Sequence, residues 1–292
     1  MNDQAQSLRD LVRSRHGQQS QSKATKTITV TSGKGGVGKS NFTLNYALAL
    51  QAKGLKVLVF DADIGLANID VLMGITPKYN LYHLLKKEKT IWEIIHTGYN
   101  GLEFIAGGSG FNDLIRLTEE QLDYFAEQVS QLHGHCDIIL FDTGAGLTKE
   151  ALKFILAADE TVVVTTPEPT SITDAYAIIK MVNNMQQGIA LKLVINRVTD
   201  PKEGKQTADK ITLVAKQFLN MDIPTIGYIT DDSNISKAVK RQVPFTVAYP
   251  NSPASRNLMD MAELYALGTA YDAPRQAPGV KGFLSKMLKL MK

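Results

Sequence analysis

Apolar residues recur along this chain with two different periods. Short, nearly continuous apolar runs rich in β-branched residues appear at "TITVTS" (27–32), "KVLVF" (56–60), "LEFIA" (102–106), "DIILF" (137–141), "TVVVTT" (161–166), "LKLVIN" (191–196) and "TIGYI" (225–229). Between them, over 40–53, 118–132, 148–157, 171–185, 204–219 and 253–269, the apolar positions are spaced by three and four. The first pattern predicts strands buried on both faces, and the second predicts helices that cover them. Strand and helix in turn predict an α/β fold, a doubly wound and mostly parallel sheet. Two further short helices are expected around Tyr79, Tyr82 and Trp92.

The two ends depart from this alternation. Residues 1–16 predict a short helix, with Ala5, Leu8 and Val12 at helical spacing, and 17–26 are a polar, unpatterned linker. The body spans 27–270. A Pro-rich spacer over 271–281 leads to an amphipathic helix over 282–292, with Phe283, Leu284, Met287, Leu288 and Met291 on one side and Lys286, Lys289 and Lys292 on the other. Lysines opposite an apolar face are the pattern of a helix lying in a membrane interface, although a terminal helix docked on its own core shows the same face.

Charge sharpens the contrast between body and ends. Residues 1–26 carry five Lys or Arg against two acids, and 273–292 carry five with no acid, so with a net charge of +3 the body itself is acidic. Acidic partners and anionic lipid are therefore expected at the ends. A single cysteine, Cys136, excludes an internal disulfide and fits a reducing, cytoplasmic compartment. No apolar run is long enough to span a bilayer. "HGHC" (133–136) has no second ligand cluster and does not make a metal site, and "SKAVKRQ" (236–242) reads as a basic helix face in solvent.

The candidate chemistry starts at "SGKGGVGKS" (32–40), a glycine loop between a strand and a helix. This is the context of a P-loop: Gly33, Gly35, Gly36, Val37 and Gly38 offer backbone N–H groups to phosphates, and the helix N-terminus adds its dipole. Lys39 is placed to neutralise the β- and γ-phosphates of ATP, and Ser40, followed by Asn41, to bind Mg²⁺. Asp61 and Asp63 fall at one strand end and Asp142 at another, where open α/β sheets bind ligands. A carboxylate there holds Mg²⁺ through water. Local capping is the competing role for Asp61.

"KGGVGKS" with "DADIGLAN" and "DTGAG" resembles the deviant-Walker-A ATPases of the MinD/ParA family, and within it the flagellar-number regulators of the FlhG (YlxH, FleN) group. The resemblance spans the whole chain. It implies that Lys34 is a signature lysine reaching into a partner subunit's site when two ATP-bound subunits pair, the chain otherwise being monomeric. It further implies that Asp63 positions the attacking water with Asp61 beside it, that Glu168 contacts the ribose, and that Asn196 and Arg197 frame the adenine. Asp174 would hold Lys34 when nucleotide is absent. It implies Mg²⁺ at Ser40, Asp63 and Asp142, and slow, regulatory ATP hydrolysis. The terminal helix would place the protein on the inner face of the cell membrane. In that group "DQAQSLR" (3–9) activates the FlhF GTPase of the signal-recognition-particle type, which makes Gln4, Gln6, Leu8 and Arg9 partner-binding. Flagellar switch-complex proteins are implied as further partners, and nucleic acid is not expected. The competing functions are a MinD-type division-site regulator and a ParA-like DNA-partitioning ATPase.

Overall fold

The computed structural model describes residues 24–63, 67–108, 118–185, 188–271 and 279–291. Eight strands form one sheet: β1 (Lys26–Thr31), β2 (Val57–Ala62), β3 (Ile95–Thr97), β4 (Glu103–Ile105), β5 (Ile138–Thr143), β6 (Glu160–Thr165), β7 (Leu191–Val198) and β8 (Thr225–Thr230). Their order is β3-β4-β2-β5-β1-β6-β7-β8, and every pairing is parallel except β3 with β4. The helices are α1 (Lys39–Ala52), α2 (Ile69–Met73), α3 (Leu81–Leu85), α4 (Glu119–Ser130), α5 (Lys149–Ala157), α6 (Pro169–Met185), α7 (Pro201–Leu219), α8 (Ser233–Lys240), α9 (Phe245–Ala248), α10 (Pro253–Tyr271) and α11 (Gly279–Met291).

The doubly wound parallel sheet is the predicted one. Strands β2, β5 and β6 are buried along their whole length, which is why they read as unbroken apolar runs. Successive side chains still serve opposite faces. Ile138 and Leu140 of β5 pack toward α1, α2, α9 and α10, while Ile139 and Phe141 pack toward α3, α4, α5 and α11. Leu193 and Ile195 of β7 pack toward α6 and α7. Strand β3 was not expected: it has three residues, none of them fully buried, so it leaves no periodicity to read. Of the two short helices expected around Tyr82 and Trp92, the first is α3 and the second is a single 3-10 turn, Trp92–Ile94.

Helix α11 starts at Gly279, three residues earlier than the sequence suggests, and its apolar face is covered by the protein itself. Val280, Phe283, Leu284 and Met287 are buried, and Leu288 and Met291 half-buried. The Phe283 ring stacks on Phe141 of β5 at 4.5 Å and 9°, with Phe154 of α5 at 5.9 Å. Of the residues assigned to a membrane contact, Phe283, Leu284 and Met287 are therefore core residues in this conformation, because the face over β5 between α4 and α5 offers the same apolar surroundings as lipid. Lys281 and Lys289 remain exposed. Among the described residues no helix is long and apolar enough to cross a membrane.

The approach to β1 and the start of α11 meet at one corner of the body. The Thr25 hydroxyl donates to the Cys136 carbonyl at 2.6 Å and accepts from the Gly134 N–H at 2.8 Å. Gly279, in the left-handed region at φ +54°, lies so close to the Thr25 carbonyl that a Cβ would sit 3.0 Å from its oxygen. The predicted helix 1–16, with Gln4, Gln6, Leu8 and Arg9, lies outside the described residues.

Candidate nucleotide-binding site

The glycine loop joins β1 to α1, and α1 begins at Lys39 with Gly38 before it at φ +92°. Any side chain at Gly38 would be strained there and would run into the Asn196 amide. The loop borders a cleft of about 710 Å³ lined by Ser32, Gly35, Gly36, Gly38, Lys39, Ser40, Asn41, Asp63, Gly144, Thr148, Glu150 and Arg197, among others. It opens at the carboxyl ends of β1, β2 and β5, where a helix N-terminus and free backbone N–H groups favour phosphate. Val37 is buried and anchors the loop in the core.

Lys39 is only 6% exposed and donates to Asp142 Oδ1 at 2.9 Å and to the Ser40 hydroxyl at 3.3 Å. Asp142 is fully buried and also accepts from the Thr43 hydroxyl at 2.8 Å. Asp61 and Asp142 are direct neighbours across the β2–β5 pairing. Burial, and then the charge of Asp142, push the Asp61 carboxyl up to about 7 against the backbone N–H bonds that stabilise its ionised form. Those donors are the N–H groups of Asp63, Asn68 and Ile69, so Asp61 fixes the turn into α2. Both Asp61 oxygens thus accept from backbone, the local capping role weighed for it, and of the pair it is Asp63 that lines the cleft. Burial raises the Asp63 carboxyl above its ordinary range while Lys39 opposes the shift.

Lys34 points elsewhere. Its Nζ donates to Glu168 Oε2 at 2.9 Å and to the Thr170 hydroxyl at 3.0 Å, and it does not line the cleft. The Lys34 ammonium holds the Glu168 carboxyl below its usual range. The holding residues are thus Glu168 and Thr170 rather than Asp174. Glu168 and Thr170 stand level with the loop at the start of α6, whereas Asp174 is a turn further on, where its backbone closes against Gly33. Asn196 donates to the Val37 carbonyl at 2.7 Å and so braces the loop. With Arg197 and Asn41 it also borders a second cleft of about 230 Å³ beside Asp231, Ile235 and Phe245, the side on which a base is expected. Thr43, Glu150 and Thr170 were not anticipated. Thr43 sits one turn after Lys39, a position legible from the helical spacing of α1, but a Glu in the first turn of α5 and one Thr among several carry no signal of their own.

Among the described residues no three His, Cys, Asp or Glu side chains converge as a metal site. The donor set suits Mg²⁺ instead, a cation that keeps waters and substrate phosphates as ligands. Ser40 and Asp63 line the cleft, and Asp142 Oδ2 is buried without a hydrogen-bond partner among the described residues. These three residues would hold the ion, whose charge would offset that of the phosphates.

A family profile described as "ParA: NUBPL iron-transfer P-loop NTPase" matches residues 23–265. The chain belongs to the ParA/MinD family of P-loop NTPases. As such it is an ATPase. The flagellum site-determining protein YlxH of Helicobacter pylori is 40% identical over 272 residues, 91% of each chain. The antiactivator FleN of Pseudomonas aeruginosa is 36% identical over 230 residues, 79% of this chain and 82% of that one. The solved structure of the septum site-determining protein MinD with Mg-ADP from Pyrococcus horikoshii superposes with a TM-score of 0.70 at 25% identity, covering 86% of this chain and 99% of that one. The flagellar branch of the resemblance read from the motifs is matched by these relatives over most of the ParA/MinD-type chain.

Proposed function

We propose that this ATPase is a dimerisation switch that regulates flagellar number or placement. The observation that carries it is the direction of Lys34: it turns out of its own cleft and is held at the rim, as suits a cation delivered to a facing subunit. Two triphosphates brought face to face repel, and an interposed lysine from each subunit makes pairing depend on ATP. Lys39, Ser40 and the loop N–H groups bind the phosphates, and Asp63 orients the attacking water. Water positioning without a strong general base gives slow turnover, suited to a timer. The flagellar assignment is supported by the likeness to YlxH and FleN.

In this reading α11 leaves its groove in the ATP dimer and binds anionic lipid, two helices together giving the avidity that one lacks. Residues 3–9 activate an FlhF-type GTPase. Sedimentation with a non-hydrolysable ATP analogue tests the core of the proposal: the chain should sediment as a dimer, and Lys34→Ala as a monomer. A dimer persisting in the variant rejects the trans lysine. For the tail, Lys281→Glu/Lys289→Glu should lower flotation on anionic vesicles, a cleaner test than deletion, which would strip α11 from the core. For the other end, a peptide of residues 1–16 should stimulate GTP turnover, and Gln4→Ala/Gln6→Ala should not.

A further inference from the structure

We infer that Thr170, together with Glu168, is a catch that retains Lys34 in its own subunit and thereby sets the ATP concentration at which subunits pair. The inference rests on the trans reading of Lys34 given above. A lysine ammonium has three donors, and here two are taken, one by the Glu168 carboxylate at 2.9 Å and one by the Thr170 hydroxyl at 3.0 Å. To reach a facing subunit's phosphates Lys34 must leave both.

The placement is set by the backbone. Pro169 opens α6, so Thr170 sits in its first turn with the chain direction fixed. Gly33, the residue before Lys34, packs directly against the backbone of Asp174 in the same helix, too closely for any side chain. On its other side the loop is tied to the start of the β5–α5 connection, where the Gly146 N–H donates to the Ser32 carbonyl at 2.8 Å. Lys34 therefore emerges at a fixed distance from Thr170. Neither Thr170 nor Glu168 lines the phosphate cleft.

The strength is that of a catch. Lys34 and Glu168 side chains are 40% and 56% exposed, so water competes with both bonds. A buried pair would hold Lys34 permanently. This one yields to the greater charge of a triphosphate. Glu168 is then released at the moment nucleotide-bound subunits meet, which reconciles its present bond to Lys34 with its expected contact to the ribose.

Two measurements on the full chain test this. In the nucleotide-free monomer, acetylation of Lys34 by acetic anhydride, followed by mass spectrometry, should be about 1.5- to 5-fold faster in Thr170→Val, the range of one exposed charged contact. Thr170→Ser, which keeps the hydroxyl, should restore the slow rate, a rescue that general loosening of α6 would not give. In analytical ultracentrifugation the ATP concentration at half-pairing should fall by the same factor in Thr170→Val and return in Thr170→Ser. Unchanged acetylation in the valine variant overturns the catch. Faster acetylation with an unmoved midpoint overturns its role in setting the threshold. If the unsubstituted chain does not pair with ATP at all, the switch function fails and the threshold with it, whatever the acetylation shows.

Discussion

Two lysines five residues apart in one loop are held in opposite ways. Lys39 is buried and bonded to a buried carboxylate, Asp142, which is itself braced by Thr43. Lys34 is exposed and bonded to an exposed carboxylate, Glu168, and a hydroxyl. Removing one partner of a buried pair strands the other charge away from water, whereas removing one partner of an exposed pair returns the other to solvent. The first lysine is committed to the fold as well as to phosphate, and the second is free to change partners. A loop that must both bind nucleotide and report it to another subunit needs one of each.

The comparison breaks most decisively at Lys39. Lys39→Ala should lower the unfolding free energy by about 3–5 kcal/mol, since Asp142 is left buried and uncompensated. Urea denaturation measures this, and a loss below about 1 kcal/mol would mean that Lys39 is not what compensates the buried Asp142. Cys136 shows what burial does with no opposite charge beside it: its thiol is pushed up to about 12, first by desolvation and then by the charges of Glu103 and Asp137, against backbone hydrogen bonds from Ile138 and Leu58. A folded pKa raised above the unfolded value means that the stabilising contribution is complete below pH 9 and is lost as pH climbs toward 12, about 1.4 kcal/mol per pH unit across that window. Thiol reagents at pH 8 should accordingly react far more slowly with the folded chain than with the chain in urea. Thr43→Val removes one bond to the Asp142 carboxylate and should cost about 1.5–3 kcal/mol in the same denaturation experiment. At the small end, Lys34→Ala should change stability by no more than about 0.5 kcal/mol. A larger loss would place Lys34 with Lys39 and dissolve the contrast.

What the sequence made legible, and what it did not, follows the same division. The glycine loop, its flanking strand and helix, and the acidic strand ends are local, so spacing alone placed Lys39, Ser40, Asp63 and Asp142. The capping by Asp61 was one of two roles open to it, and only its pairing environment is not local. Its neighbour Asp142 is brought beside it by strand pairing, and its donors Asn68 and Ile69 come from the turn that follows. The periodicity of α11 revealed an apolar face and could not say what covers it, because Phe141 stacked on Phe283 is as apolar an environment as a lipid chain. Strand β3 escaped because three residues hold no period, and Thr170 because a threonine after a proline is ordinary at the start of any helix.

The corner where Thr25 meets Gly279 has a practical consequence for anyone who handles this protein. Six residues of β1, about 20 Å of extended chain, separate it from the loop that holds the phosphates. A fluorophore, affinity tag or surface tether attached ahead of Thr25 therefore enters the folded body at the opposite end of β1 from the nucleotide. Such labels leave the opening of the cleft unobstructed.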